Sequence, residues 1–142
     1  MSELSDALDD LKQGNFSKLD PLFESGEIVE WVDIGFLDPD QMAEALTCAC
    51  FNGRVDVAKA LLKRGVDPSG GNGTGLNAIH WAANRGQLEA VRLLLKHRGP
   101  LETRNMYGGT VLGAAKWALE NEKKPDHPKI IQELIAAGGR EE

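Results

Sequence analysis

At 142 residues, with 42% hydrophobic and 27% charged residues and only six prolines, the chain has the size and balance of one globular domain, which excludes a disordered tail or a fibre. No run of about 18 apolar residues offers a membrane span, and the acidic opening after Met1 lacks the basic and apolar stretches of a secretory leader. A cytoplasmic setting is therefore expected, with the nucleus as the alternative. The formal net charge of −6 conceals a division: residues 1–44 hold twelve acids against two lysines, and the remainder fourteen bases against ten acids. Such asymmetry reads first as solvated surface, and second as a means of steering a partner of mixed charge.

Along the chain, Leu4, Ala7, Leu8 and Leu11 form one helical stripe that stops at Gly14, and Leu19, Leu22 and Phe23 form a second that stops at Gly26. Asp6, Asp9 and Asp10 put charge where later segments put alanine or apolar residues, as suits a terminal unit facing water. In residues 44–65, EALTCACFNGRVDVAKALLKRG, the cysteines Cys48 and Cys50 are separated by a single residue. On a helix that spacing points them apart, giving neither a disulfide framework nor zinc-ligand spacing, so reduced, packed thiols are expected. The glycine-rich SGGNGTG, residues 69–75, resembles a phosphate loop in composition only, because it lacks the Gly-Lys-Ser/Thr ending and follows no predicted strand. An extended connection is expected there instead.

Residues 77–100, NAIHWAANRGQLEAVRLLLKHRGP, predict two helices. Asn77 is a good N-cap, Ala82 and Ala83 add so little bulk that another helix can approach closely, and Gly86 suits a left-handed exit. Leu88, Val91, Leu94 and Leu95 then share one face, Lys96, His97 and Arg98 complement the helix dipole in the last turn, and Gly99 ends the element. Further on, ALENEKKPDHP (118–128) predicts that the last inner helix runs long, with a Glu120–Lys124 pair, until Pro125 breaks it. Asp126 or His127 then caps the final helix, with Pro128 near its first turn.

These segments repeat. Gly53 falls on Gly86, Ala49 on Ala82, and Leu61 and Leu62 on Leu94 and Leu95, each 33 residues apart; the register then slips by one, since Gly65 matches Gly99 with Arg98 as the extra residue. TVLGAAK (110–116) lies 33 beyond NAIHWAA, and Ile131 lies 40 beyond Val91, an insertion of 7. Gly14 to Gly26 spans 12, as does Gly53 to Gly65, so the N-terminus supplies a fainter copy. A helix pair cannot bury its apolar face alone, whereas four stacked pairs build a continuous core. The expectation is one domain, residues 1–142, with repeats at about 2–33, 39–69, 72–104 and 105–140.

At NAIHWAANRGQLEAVRLLLKHRG the chain resembles the ankyrin repeat, with Asn77, Ala78, Ile79, His80, Ala82, Ala83, Gly86, Val91, Leu94, Leu95 and Gly99 on the family's pattern. The second copy opens with EALT instead, and the fourth, TVLG, lacks the histidine. The resemblance implies an all-α solenoid of stacked helix-turn-helix pairs with projecting finger loops, whose concave surface binds other proteins. It also implies a structural role for His80, tying neighbouring repeats together, alongside Gly53, Gly86 and Gly99. The pattern leaves finger residues and the two residues before each closing glycine free of packing. These are Asp40, Gln41, Ala43, Phe51 and Asn52, then Gly73, Thr74, Leu76, Asn84 and Arg85, then Met106, Tyr107, Gly109, Trp117 and Ala118. Phe51, Tyr107 and Trp117 stand out, since aromatic side chains are favoured interface anchors; for Phe51 and Trp117 the competing expectation is that they fold back onto adjacent repeats.

No nucleophile, base and orienting group can be read together, and no convergent metal ligands, so neither an enzyme nor a cofactor is expected. The alternative is a small-molecule-binding or enzymatic protein that uses the finger loops and His80. Residues 54–104 hold nine bases against four acids, but most sit at outer-helix ends where the helix dipole explains them, and nucleic acid is not expected as a partner. A monomeric adaptor or scaffold for another protein is the leading expectation, with a purely structural spacer or half of an oligomer behind it.

Overall fold

The computed structural model describes residues 26–69, 77–102, 104, 109–122 and 124–140. Among them the regular structure is helical throughout: α1 (Glu27–Asp33), α2 (Pro39–Phe51), α3 (Val55–Lys63), α4 (Ala78–Asn84), α5 (Leu88–Lys96), α6 (Val111–Asn121) and α7 (His127–Ala136). Helices α2, α4 and α6 pack side by side as an inner row, and α1, α3, α5 and α7 as an outer row, each inner helix hairpinned to the outer helix that follows it. This is the stacked-pair solenoid that the 33-residue period predicts.

The two hairpin exits follow from glycine. Gly53 and Gly86 adopt φ of +71° and +73°, a left-handed conformation that costs a residue with a Cβ roughly 1–2 kcal/mol. Where the fourth copy has Leu119 in place of that glycine, the helix does not stop, and α6 runs on to Asn121. The long last inner helix thus agrees with the sequence, but it ends before Lys124. The expected Glu120–Lys124 pair is not found; Lys124 instead donates its backbone N–H to His127 Nδ1 at 3.3 Å. Of the two expected caps, Asp126 takes the N-cap position of α7, without a side-chain hydrogen bond, and His127 is the first helical residue and fully buried.

Three expectations about register can be set against the structure. First, Gly26, at φ +80°, precedes α1, whose end at Gly35 (φ +78°) repeats the turn at Gly65. In both turns an amide returns to a carbonyl five residues back, Phe36 to Trp31 at 2.9 Å and Val66 to Leu61 at 3.2 Å. The first outer helix among the described residues is EIVEWVD, and the stripe expected to stop at Gly26 lies outside them. Second, Gly65 is matched by Arg98, not Gly99. The Gly99 amide meets the Leu94 carbonyl at 2.7 Å as Val66 meets Leu61, so the 33-residue step continues unbroken and Arg98 takes the left-handed position at φ +61°. Gly99 is needed for closeness instead, since a Cβ there would lie 3.2 Å from the Leu94 carbonyl oxygen and 3.5 Å from Ile79 Cδ1.

Third, Asp40 and Gln41 belong to no finger. Asp38-Pro39 starts α2 six residues earlier than the repeat pattern places it: the Asp38 carboxylate accepts the Gln41 amide at 2.8 Å, and the Gln41 side chain accepts the Asp38 amide at 2.9 Å. This reciprocal capping box, with proline at the first helical position, outweighs the family register locally.

The core lies between the two rows. Ala45, Ala49, Ala58, Ala78, Ala82, Ala83, Ala90 and Ala115 are fully buried and let the helices close in, while Leu46, Leu61, Ile79, Val91, Leu94, Ile130 and Leu134 fill the space between them. Stacking is visible in one row at equivalent positions: Leu62 is 6% exposed beneath α5, whereas Ile135, on the last outer helix, is 54% exposed. Successive outer helices are also linked by Arg64 with Asp33, at 2.6 and 3.1 Å, and by Arg92 with Glu133, at 2.9 Å.

Candidate functional site

The inner row presents the surface of interest. Phe51, at the end of α2, meets Trp81 of α4 edge to face, with ring centroids 5.0 Å apart and planes at 77°. Above the same Phe51 ring, 4.9 Å from its centroid, sits the guanidinium of Arg85, so three side chains from two adjacent repeats form one half-buried unit. Its backbone is fixed from below: Gln87 Nε2 donates to the Phe51 carbonyl at 3.3 Å. One repeat on, His127 Nε2 lies 3.1 Å from the Asn84 carbonyl. With Nδ1 accepting from Lys124, Nε2 is the donor, so the imidazole replaces the Gln87 amide across the insertion.

Trp117 of α6 lies 33 residues beyond Asn84 and 66 beyond Phe51, in the same row, and is 55% exposed. The two aromatic residues therefore part company: Phe51 does fold onto its neighbour, and Trp117 does not. Asn52 contacts Cys48 Sγ at 3.7 Å, Asn84 is half-buried, and Asp40 is exposed in the first turn of α2. Thr74, Leu76, Met106 and Tyr107, with Gly73, lie outside the described residues. Trp81 was not among the residues singled out by the repeat pattern. Its signal was a large indole set between His80 and the close-packing Ala82; the indole is half-buried at the edge of the core.

His80 is fully buried, and its backbone amide donates to the Asn77 side chain at 3.2 Å, the N-cap expected of that asparagine. A buried imidazole in this position has no access to a substrate in solution. Thr110 caps α6 in the same way, its hydroxyl accepting from Gly113 at 3.2 Å and donating to the Arg140 carbonyl, which ties the end of the described chain to the last inner helix. Cys48 and Cys50 are free and buried, and desolvation pushes the Cys50 thiol up to about 12, so it stays protonated and unreactive. Among the described residues no three or more His, Cys, Asp or Glu side chains converge as metal ligands would, and no helix is long and apolar enough to cross a membrane.

A stack of helix pairs with an aromatic and cationic row along its inner helices defines a repeat solenoid. A family model for ankyrin repeats, three copies long, matches residues 12–106 and again residues 46–140, and the chain belongs to the ankyrin-repeat family. It is also similar to a protein from Mus musculus, "Protein fem-1 homolog A-like", at 37% identity over 90 residues. That stretch covers 63% of this chain and 12% of the mouse protein, so the chain spans a small part of the relative's length. Ankyrin repeats are in general protein-protein interaction modules, and the family is typically non-enzymatic.

Proposed function

We propose that the chain is a monomeric adaptor or scaffold, without enzymatic activity, that holds a partner protein against its inner-helix row and the adjoining finger loops. The observation that carries this reading is the row itself. Phe51, Trp81 and Arg85 are locked together across a repeat boundary, and the more open Trp117 stands in the same line, on helices whose other faces are consumed by packing. Side chains already ordered before association lose little entropy on binding, which favours affinity from a modest surface. The reduced, buried cysteines suit a cytoplasmic or nuclear setting.

Affinity capture from native cell extract tests the reading, with the wild-type chain compared against a Tyr107→Ala, Trp117→Ala double variant. The expected result is one or more proteins retained by the wild type and lost from the variant, with unchanged circular dichroism and thermal midpoint. Equal retention by both chains would remove these two residues from the interface.

A further inference from the structure

The charge on the inner row is one-sided. Residues 45–53, 78–86 and 111–119, the stretches that stack to form it, contain no aspartate or glutamate, while Arg85 and Lys116 are their basic residues, in a chain whose formal net charge is −6. The connections 68–77 and 103–110 contain no acid either. The acids of the inner helices lie outside these stretches: Asp40 and the buried Glu44 in the first half of α2, and Glu120 near the end of α6. On the outer row, by contrast, Arg64 and Arg92 are each held by carboxylates. Arg85 is treated differently: its side chain has the Phe51 ring beneath it but no hydrogen bond or ion pair among the described residues, and its Nε is shielded from solvent with no acceptor. A guanidinium positioned on an aromatic face, with its donors unspent and no carboxylate among the described residues held against it, is prepared for a carboxylate from outside.

We infer, building on the reading above, that Arg85 receives an acidic side chain of the partner while Trp117, one helix over, takes an apolar group beside it. The preferred partner is thus an acidic protein segment with a hydrophobic residue close to the acid.

The test pans a phage-displayed library of random dodecapeptides on the full chain, then measures synthetic binders by fluorescence polarisation against wild type, Trp117→Ala and Arg85→Gln, with folding checked by circular dichroism. Binders that need Trp117 should be enriched in Asp or Glu and weaken about tenfold or more with Arg85→Gln, the scale of one charge-assisted hydrogen bond. Replacing the peptide acid by its amide should cause the same loss in wild type and little further loss in Arg85→Gln. Binders that need Trp117 but ignore Arg85→Gln would overturn the acidic specificity while leaving the inner row as the binding surface. Binders indifferent to both substitutions, or no Trp117-dependent binder at all, would overturn both.

Discussion

Placing a methyl group at two left-handed glycines separates backbone strain from the packing of the insertion. Gly65 has φ +85° and nothing within 4 Å of a built Cβ, so Gly65→Ala should cost only the left-handed penalty, about 1 kcal/mol after the reduced freedom of the unfolded chain is set against it. Gly86 has a similar φ of +73°, but there a Cβ would lie 3.0 Å from both Cβ and Cδ of Lys124 and 3.5 Å from His127 Nε2. Overpacking of that kind adds about 1–3 kcal/mol, so Gly86→Ala should cost about 2–4 kcal/mol in total. Urea denaturation followed by circular dichroism gives both values, and Lys124→Ala in the Gly86→Ala background should recover part of the excess by removing Cδ. Equal losses at the two glycines, within about 0.5 kcal/mol, would show that residues 124–127 do not sit beneath α4 and would refute the placement of the insertion. The converse substitution, Arg98→Gly at φ +61°, should raise stability by about 1 kcal/mol.

Leu61→Ala should destabilise by about 2–5 kcal/mol, because Leu61 is fully buried, whereas Ile135→Ala on the exposed end of α7 should change stability by less than about 0.5 kcal/mol in the same urea assay. Cys50 should react with a thiol reagent such as DTNB at pH 8 only as fast as the fold opens, since burial holds its thiol protonated up to about 12; rapid labelling of the native chain would contradict its burial. The hydrogen bond from Arg64 lowers the Asp33 carboxyl below its usual 3.8. The stability it contributes is therefore fully present above pH 3.8 and lost as pH falls through the lowered value. The difference in thermal midpoint between wild type and Asp33→Asn should shrink accordingly on acidification, and a difference that persists unchanged would remove the ion pair as its source.

Where a residue's role is fixed by local chemistry repeated at a regular interval, the sequence was a good guide. Gly53, Gly86, Asn77 and the alanines of the inner helices do what their spacing implies, and the missing glycine at Leu119 is why α6 is long. Where a local signal competed with the period, the period misled. Asp38-Pro39 with Gln41 is a complete helix start, but fitting EALT to the family pattern turned Asp40 and Gln41 into finger residues. Helix α1 escaped notice because its seven residues begin after a left-handed glycine with no side-chain cap. The Arg98 turn was hidden because arginine occupies a conformation usually left to glycine, so the glycine next to it looked like the match. The aromatic and cationic unit needed coordinates: Phe51 and Arg85 were candidates from position alone, but their meeting through Trp81 depends on side-chain directions across a repeat boundary.

The three tryptophans provide the most direct measurement of the central claim, since Trp81 and Trp117 lie on the inner row and Trp31 on the outer helix α1. Indole N–H resonances of the full chain, followed by NMR as a captured partner is added, should shift for Trp81 and Trp117 and stay in place for Trp31. Movement of Trp31 alone, with the other two undisturbed, would contradict binding along the inner helices.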